Sequence, residues 1–374
     1  LADAMALAYR AFFSMKNATL NAPDGTDTRT LYGFTSALLK LLEDHQPEHI
    51  AVVFDKIGGA PTFRDQLYDD YKAHRPPMPD EIKSNIPLVK LLVEAFVIPV
   101  PEVEGVEADD VIGTLAKRAE DEGVDAVIFS ADKDFRQLLS DRVSMLRPPY
   151  MGETFDRETP ETFREKYGGL EPYQFIDLLA LIGDSSDNVP GVPGIGEKTA
   201  VKLIDEYGDV ETLIEHAGDL KGKRAREGMT DYADDARLSK QLVTIRTDVE
   251  LSGPDGGPLD WHTLRRTAPD LDAVEDLFNE VGFGTRLRNR VRDYAAGRSR
   301  QRAEGKPGRA FTTLPADDPS LSFDFGPYEP VTAMDEDAVQ YQTVYERDEL
   351  SLASDLLASA ERLSFDTEPT SPDP

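Results

Sequence analysis

Short apolar runs that suit buried strands alternate with amphipathic helices through the first half of the chain. The runs at 49–54, 124–130 and 142–146 contain β-branched residues and are too short for buried helices. The segments at 30–43 and 108–122 repeat apolar residues at helical spacing. Strands that alternate with helices pair in parallel, because each helix carries the chain back across the sheet. We therefore expect an α/β fold with a mainly parallel sheet and helices on both faces.

The pattern changes in the second half. From about 158 to 282 it predicts only helices, and residues 298–330 are rich in Gly, Pro, Ser, Asp and Arg, which is typical of a linker. The chain starts without Met and stops soon after a predicted strand at 363–365, so we expect a fragment of a longer protein. The expected divisions are an α/β core at 1–175 with an arch at about 61–97, a helical region at 176–297, a linker at 298–335 and a further segment at 336–374.

The composition excludes several classes of protein. The 374 residues contain no Cys, so disulfides, Cys-zinc sites and a Cys nucleophile are excluded, and any metal must be held by oxygen or imidazole. No apolar stretch approaches the roughly 20 residues of a membrane span, and no signal peptide opens the chain, so the cytoplasm is the expected location. The 71 acidic against 41 basic residues give a net charge of −30, which by itself argues against a nucleic-acid partner.

Acidic residues follow the predicted strands or open the helices after them. The carboxyl ends of parallel strands share one edge, where ligands bind, so these side chains are expected to converge. Converging carboxylates suit Mg²⁺ or Mn²⁺, and two such ions suit phosphodiester hydrolysis. Any single Asp here is ordinary turn or capping chemistry; only the set as a whole predicts two metal clusters, comprising Asp3, Asp55, Glu107, Asp109, Asp110, Asp132, Asp134, Asp184 and Asp187.

A glycine-rich hairpin joins two predicted helices at 188–200. No Gly-x4-Gly-Lys-Ser/Thr is present and no strand precedes the glycines, so the Walker and Rossmann interpretations fail. The alternatives are a plain helix–helix turn and a helix-hairpin-helix that grips a nucleic-acid backbone without reading sequence. The residues of the second alternative are Gly191, Gly194, Ile195, Gly196, Lys198 and Thr199.

The stretch 61–79 mixes basic and aromatic residues. Arg64, Lys72 and Arg75 are candidates to meet the scissile phosphate, and Tyr71 is a candidate to stack on a base; a solvated connection is the alternative. A second basic run covers 286–302 and predicts either contact with duplex DNA or a disordered linker. Its arginines are Arg286, Arg288, Arg290, Arg292, Arg298, Arg300 and Arg302.

Together these motifs resemble the 5′-nuclease domains of bacterial DNA polymerase I, relatives of the flap endonucleases, over about residues 1–290. The resemblance implies a monomeric nuclease that needs two or more Mg²⁺ or Mn²⁺ ions. Its substrate would be DNA with a 5′ flap, nick or RNA primer, bound without sequence specificity. The first five acids would form one metal cluster and the last four the other. Lys72 with Arg75 would act on the phosphate, Tyr71 would belong to the same arch, Tyr9 and Arg10 would lie beside the active site, and the hairpin would hold K⁺.

The chain departs from the family pattern at two places. Ala4 replaces the usual Gly, and most of the first strand is missing, so Asp3 is expected to be poorly held. Phe135-Arg136 replaces an aliphatic-aromatic pair, with little expected effect. At the other end, Asp366 and Glu368 resemble the first metal motif of a 3′–5′ exonuclease-like domain, whose remaining ligands would lie further on.

Three other functions compete with this interpretation. A non-catalytic DNA-binding module would lack the acids, a metal-dependent phosphatase would not need the hairpin or arch, and a stand-alone 5′ nuclease would not need residues 331–368. The acidity itself is best explained as an adaptation of the surface to a high-salt cytoplasm, where screening reduces long-range repulsion of DNA.

Overall fold

The computed structural model describes residues 1–16, 18–56, 60–148, 155–253, 257, 259 and 261–297. The predicted linker at 298–335 and the segment at 336–374 lie outside the described residues, and so do Asp366 and Glu368. Within the described part, no helix is long and apolar enough to cross a membrane.

A five-stranded sheet forms the centre of the fold. Its strands are β1 (Ala2–Asp3), β2 (Val52–Val53), β3 (Ala126–Phe129), β4 (Val143–Arg147) and β5 (Asp156–Glu158), in the spatial order β2-β1-β3-β4-β5. The first four strands are parallel, with Asp3 opposite Val53 and Ala126 opposite Val143. The prediction of a mainly parallel sheet is therefore confirmed, although β2 is shorter than expected.

Strand β5 was not predicted, and it pairs antiparallel with β4. Its sequence, Asp-Arg-Glu, has no apolar alternation that could have indicated a strand. Ion pairs hold it instead, since Glu158 accepts hydrogen bonds from Arg136 at 2.6 and 2.9 Å and from Arg147 at 3.0 Å. Arg136, one of the two departures from the family pattern, therefore anchors the edge of the sheet.

Helices cover both faces of the sheet. In chain order they are α1 (Ala4–Ser14), α2 (Arg29–His45), α3 (Phe63–Leu67), α4 (Asp80–Ala95), α5 (Ala108–Asp121), α6 (Pro160–Lys166), α7 (Phe175–Ile182), α8 (Glu197–Tyr207), α9 (Val210–Glu215), α10 (Lys223–Asp231), α11 (Ala233–Val243), α12 (Leu271–Glu280) and α13 (Thr285–Ala295). Short 3₁₀ helices lie at Lys133–Leu138, Pro172–Gln174, Ala217–Asp219 and Trp261–Leu264.

Two apolar cores lie on opposite faces of the sheet, because successive side chains of a strand point to opposite sides. Val53, Ile128 and Met145 belong to the core that contains α5 and the helices from α7 to α11. Their neighbours Val52, Phe129 and Leu146 belong to the core that contains α1, α2, α4, α12 and α13. The last two helices thus return to pack on the same face as the first two.

Helix α13 contradicts the prediction of a disordered linker for the part of the basic run within its bounds. Arg290 donates to Glu43 of α2 at 2.7 Å, Arg292 donates to Glu275 of α12 at 2.5 Å, and Arg288 pairs with Glu275 as well. These ion pairs attach the helix to α2 and α12, so this part of the run is not a disordered linker. Arg298, Arg300 and Arg302 lie outside the described residues.

Candidate active site and nucleic-acid interface

The carboxyl edge of the sheet brings together acidic residues from distant parts of the sequence. Asp3 ends β1, Asp55 follows β2, and Asp132 follows β3. Glu107 and Asp109 stand at the start of α5, whose Ala108 N–H donates to Asp55 at 2.8 Å. The parallel sheet therefore delivers its strand-end carboxylates to one side, as the sequence predicts.

Asp3 is firmly held, contrary to the expectation from the shortened first strand. It is buried, caps α1 by accepting from the Ala6 N–H at 3.0 Å, and accepts from the Ser130 hydroxyl at 2.8 Å. The Asp132 N–H donates to the same hydroxyl at 3.0 Å, so Ser130 joins the acids of two strands. Burial raises the pKa of Asp3 to about 7, and the charges of Asp132 and Asp55 add to that effect.

The ionised form of two further carboxyl groups, those of Asp109 and Asp134, is also disfavoured. Burial and the nearby charges of Asp132 and Asp3 raise the pKa of Asp109 well above its ordinary value. Burial and the Asp132 charge raise the pKa of Asp134 to about 7. One carboxylate oxygen of Asp134, Oδ1, is buried without any hydrogen-bond partner. A buried carboxylate oxygen without a hydrogen-bond partner destabilises the folded protein unless a cation binds to it.

The arch residues Lys72 and Arg75 form ion pairs with acidic residues of the site. The Lys72 ammonium pairs with Glu107 and lies 3.8 Å from Asp187, while the Arg75 guanidinium pairs with Asp187. The Lys72 N–H also donates to the Asp187 carbonyl at 2.9 Å. Burial opposes the charged form of Lys72, but Glu107 and Asp187 outweigh it and raise the pKa of the ammonium. Lys72 has φ 56°, an uncommon left-handed conformation that is typical of functional positions.

The structure contradicts the predicted base-stacking role of Tyr71. Its ring is buried, and only 7% of the residue is exposed. Its hydroxyl lies 3.2 Å from the Glu107 carboxylate and 3.4 Å from that of Asp187. A buried ring cannot offer a face to a nucleobase, so Tyr71 instead packs beneath the acids and fixes their positions.

Arg64 cannot meet the scissile phosphate, because it is buried and its donors are already used. Its guanidinium donates to both oxygens of Asp110 at 2.8 and 2.9 Å and to Glu107 at 3.0 Å. It also donates to the carbonyls of Leu242 and Thr244, each at 2.8 Å. The structure also contradicts the prediction that Asp110 is a metal ligand. Its carboxylate is fully buried and accepts hydrogen bonds from Arg64 and from the Arg246 N–H.

A short loop between α7 and the hairpin carries the second group of acids. Asp184 accepts from Lys133 at 2.6 Å and from the Ser186 hydroxyl at 2.5 Å. Burial opposes ionisation, but these hydrogen bonds hold the pKa of Asp184 below its ordinary value. The two ends of the loop touch closely: a Cβ on Gly191 would lie 2.5 Å from the Gly183 nitrogen, so only glycine fits there.

The hairpin residues divide into a structural and an exposed group. The Gly191 N–H donates to the Ser239 hydroxyl at 2.9 Å and the Ile195 side chain is buried, so neither is placed to bind DNA as predicted. Gly194, Gly196, Lys198 and Thr199 are exposed. Gly196 directly precedes α8 and provides no side-chain cap, which leaves the first N–H groups of that helix open to a phosphate oxygen.

Other residues near the site were quoted from the sequence without a role or were missed. Lys133 pairs with Asp184, and its position between Asp132 and Asp134 was a usable signal. The roles of Ser130 and Ser239 could not be predicted from the sequence, because a buried serine is identified as functional only by the groups it hydrogen-bonds. Arg10 donates to the Pro148 carbonyl at 2.9 Å, and Tyr9 lies near the charge of Arg75.

The carboxylates do not form a closed metal cage in this structure. Among the described residues, no group of three or more Asp, Glu or His side chains stands close enough to hold an ion. Lys72, Arg75 and Lys133 lie among the acids as counter-ions. The arrangement combines carboxylate oxygen donors, several of them with raised pKa values, and paired cations, which is the chemistry of a site for a phosphate ester or a divalent ion.

The sequence matches both parts of one protein family. Residues 1–168 match the N-terminal resolvase-like domain of 5′–3′ exonucleases, and residues 170–269 match the C-terminal SAM fold of 5′–3′ exonucleases. DNA polymerase I of Bacillus subtilis (strain 168) is 39% identical over 317 residues, which cover 85% of this chain and 35% of that protein. The thermostable DNA polymerase I of Thermus thermophilus is 41% identical over 287 residues, which cover 77% of this chain and 32% of that protein.

A solved structure shares the fold. The bacteriophage T5 D15 flap endonuclease, in a complex with DNA and metal ions, has a TM-score of 0.55 and 21% identity, covering 79% of this chain and 98% of that one. The chain spans about a third of the length of the polymerases it matches. With both of their domains matched in order and the acids gathered at the expected edge, this chain belongs to the family of 5′–3′ exonucleases.

Proposed function

We propose that this chain is a metal-dependent 5′–3′ nuclease that cleaves DNA at the junction of a single strand and a duplex. Its substrates would be 5′ flaps, nicks and RNA primers, bound without sequence specificity. The observation that carries the proposal is the attachment of the arch cations Lys72 and Arg75 to the acids of the sheet edge. A site built to hydrolyse a phosphodiester needs both cations for the phosphate and carboxylates for the ions.

The residues fit divalent ions in their donor chemistry. All candidate ligands are carboxylates, which Mg²⁺ and Mn²⁺ prefer. The buried, partnerless Oδ1 of Asp134 and the raised pKa values of Asp3 and Asp134 indicate a site that is short of positive charge. Asp3, Asp55, Glu107 and Asp109 would hold one ion, and Asp132, Asp134, Asp184 and Asp187 would contribute to a second.

The ions, when bound, supply a hydroxide at neutral pH and offset the charge of the leaving oxygen. The chain positions the substrate for that chemistry. Lys72 and Arg75 exchange their carboxylate partners for the scissile phosphate and offset its developing charge. Ser130 and Tyr71 keep Asp3, Glu107 and Asp187 in place, because their hydroxyls bond those carboxylates.

The hairpin fixes where cleavage occurs. Gly194, Gly196 and Lys198 face solvent at the start of α8, where backbone N–H groups and one ammonium can hold a phosphate of the duplex. Such contacts position the DNA without reading its bases. We further propose that K⁺ binds at this hairpin and that the enzyme acts as a monomer in the bacterial cytoplasm. The polymerase matches favour a parent DNA polymerase I over a stand-alone nuclease.

Cleavage of a labelled 5′-flap duplex with Mg²⁺ tests the proposal. The double substitution Asp132→Ala/Asp184→Ala should reduce the single-turnover rate by about 1000-fold or more, because several kcal/mol of transition-state stabilisation would be lost. The matched control is Asp125→Ala, an exposed acid at the opposite edge of the sheet, which should leave the rate unchanged. Undiminished cleavage by the double variant would refute the metal assignment, and hydrolysis of nitrophenyl phosphate without flap cleavage would favour a phosphatase.

A further inference from the structure

Most lysines and arginines of the structure are held by carboxylates, as expected for a chain with a net charge of −30. Arg142 pairs with Asp125 at 2.9 Å, Lys240 with Asp177 at 2.6 Å, and the arginines of α13 with two glutamates. Cations that make no ion pair are the smaller group among the described residues. Where such cations gather, their ammonium and guanidinium groups are available to an anionic partner.

Four exposed cations around the hairpin make no ion pair in the part of the chain that the structure describes. Lys198 and Lys202 stand one turn apart on α8, so they share a face of that helix. Lys221 precedes α10, and Arg224 lies in its first turn. We call these four residues the basic rim. Lys223 stands between the last two and is paired with Glu227 at 3.6 Å, so it does not belong to the set.

Packing brings the two halves of the basic rim together. A Cβ on Gly194, at the tip of the hairpin, would lie 3.6 Å from the Cβ of Arg224. A Cβ on Gly228, one turn further along α10, would lie 2.9 Å from the Pro193 carbonyl oxygen, so α10 packs directly against the hairpin. The start of α10 is therefore beside the start of α8, although 27 residues separate Lys221 from Gly194 in the sequence.

We propose that Lys202, Lys221 and Arg224 extend the hairpin into a phosphate-binding surface for the backbone of duplex DNA. The proposal rests on the nuclease function proposed above, and it adds a second contact region from α10. Point charges on flexible side chains suit phosphate oxygens, and the rim contains no aromatic residue that could stack on a base. The cost of leaving the cations unpaired is small, because exposed ion pairs contribute about 0–1 kcal/mol each.

A binding experiment separates this proposal from the nuclease function. The dissociation constant of a fluorescent 5′-flap duplex is measured in EDTA, where cleavage stops, over a series of KCl concentrations. We expect Lys221→Ala/Arg224→Ala to raise the dissociation constant about 10-fold at low salt. The slope of log affinity against log salt should fall by about 1.8, or 0.9 for each lost phosphate contact.

Two further variants serve as controls. Lys117→Ala/Arg142→Ala removes the same charge at the opposite edge of the sheet, where both cations are already paired, and should change affinity less than twofold. The exchange Lys221→Arg/Arg224→Lys keeps the charges and should keep the affinity. All four substituted residues are exposed, so every variant should have the same melting temperature as the native protein.

The outcomes distinguish the two proposals. An unchanged dissociation constant and salt slope in Lys221→Ala/Arg224→Ala would overturn the basic rim, while flap cleavage by the same variant would leave the nuclease intact. An equal loss of affinity in the Lys117→Ala/Arg142→Ala control would also overturn it, since the effect would then be one of net charge. A native protein that neither cleaves a flap nor binds duplex DNA would refute both.

Discussion

Replacing Arg64 by Met tests whether its buried guanidinium joins the arch to the rest of the fold. The residue is 2% exposed, and it donates to Asp110, to Glu107 and to the carbonyls of Leu242 in the last turn of α11 and of Thr244 just after it. Methionine retains much of the side-chain volume, so the main loss is electrostatic. The substitution leaves the Asp110 carboxylate, which has no exposed surface, without its cation.

The magnitude follows from that uncompensated charge. Removing one partner of a buried ion pair costs about 3–5 kcal/mol, whereas an exposed pair contributes about 0–1 kcal/mol. Arg64→Met should therefore lower the free energy of unfolding by about 4 kcal/mol. Arg142→Met is the matched control, because Arg142 also pairs with an aspartate but both side chains are largely exposed. It should cost less than about 1 kcal/mol.

Urea unfolding followed by circular dichroism measures both variants, with equal slopes required for a valid comparison. The double variant Arg64→Met/Asp110→Asn should recover a substantial part of the loss, since it removes the orphaned charge as well. Equal stability of Arg64→Met and Arg142→Met would refute the reasoning. So would a double variant less stable than the sum of the two single changes predicts.

Three other predictions follow from the site. Gly191→Ala should lower the free energy of unfolding by about 2 kcal/mol or more, because its Cβ would meet the Gly183 backbone. A Cβ on Gly196 has open space, so Gly196→Ala should change the free energy of urea unfolding by less than about 1 kcal/mol and should weaken duplex binding. In EDTA, Asp134→Asn should be more stable than the native protein at pH 8 by at most about 4 kcal/mol, with the difference vanishing near pH 4. The sign is fixed because a folded-state pKa raised from 3.8 to about 7 makes the native state lose stability as pH rises through that window; a constant difference across pH would contradict it. Flap cleavage should persist near molar KCl if the acidity is an adaptation to salt, and maximal activity at low salt with collapse near molar KCl would argue against it.

The alternation of strands and helices was readable from the sequence because it is a local pattern. The periods of apolar residues identified β3, β4, α2 and α5, and the strand ends located Asp3 and Asp132 at one edge. Strand β5 was not predicted, because its three charged residues form a strand only through pairing with β4 and through ion pairs to Glu158. Tertiary contacts override local propensity at such positions.

The roles of individual charged residues depended on contacts that no local pattern contains. Arg64 and Lys72 lie eight residues apart in one basic and aromatic stretch, yet the first is buried against Asp110 and the second reaches the acids of the site. Arg290 meets Glu43 across 247 residues of sequence.

The sequence alone determined the class of fold, the edge on which the acids gather and the family of the chain, because the alternation of strands with helices and the turn chemistry are short-range patterns. Only the tertiary structure decided which cations are buried and paired and which remain exposed. The energy of a charge depends on its burial and on its partners, and both come from residues far apart in the sequence.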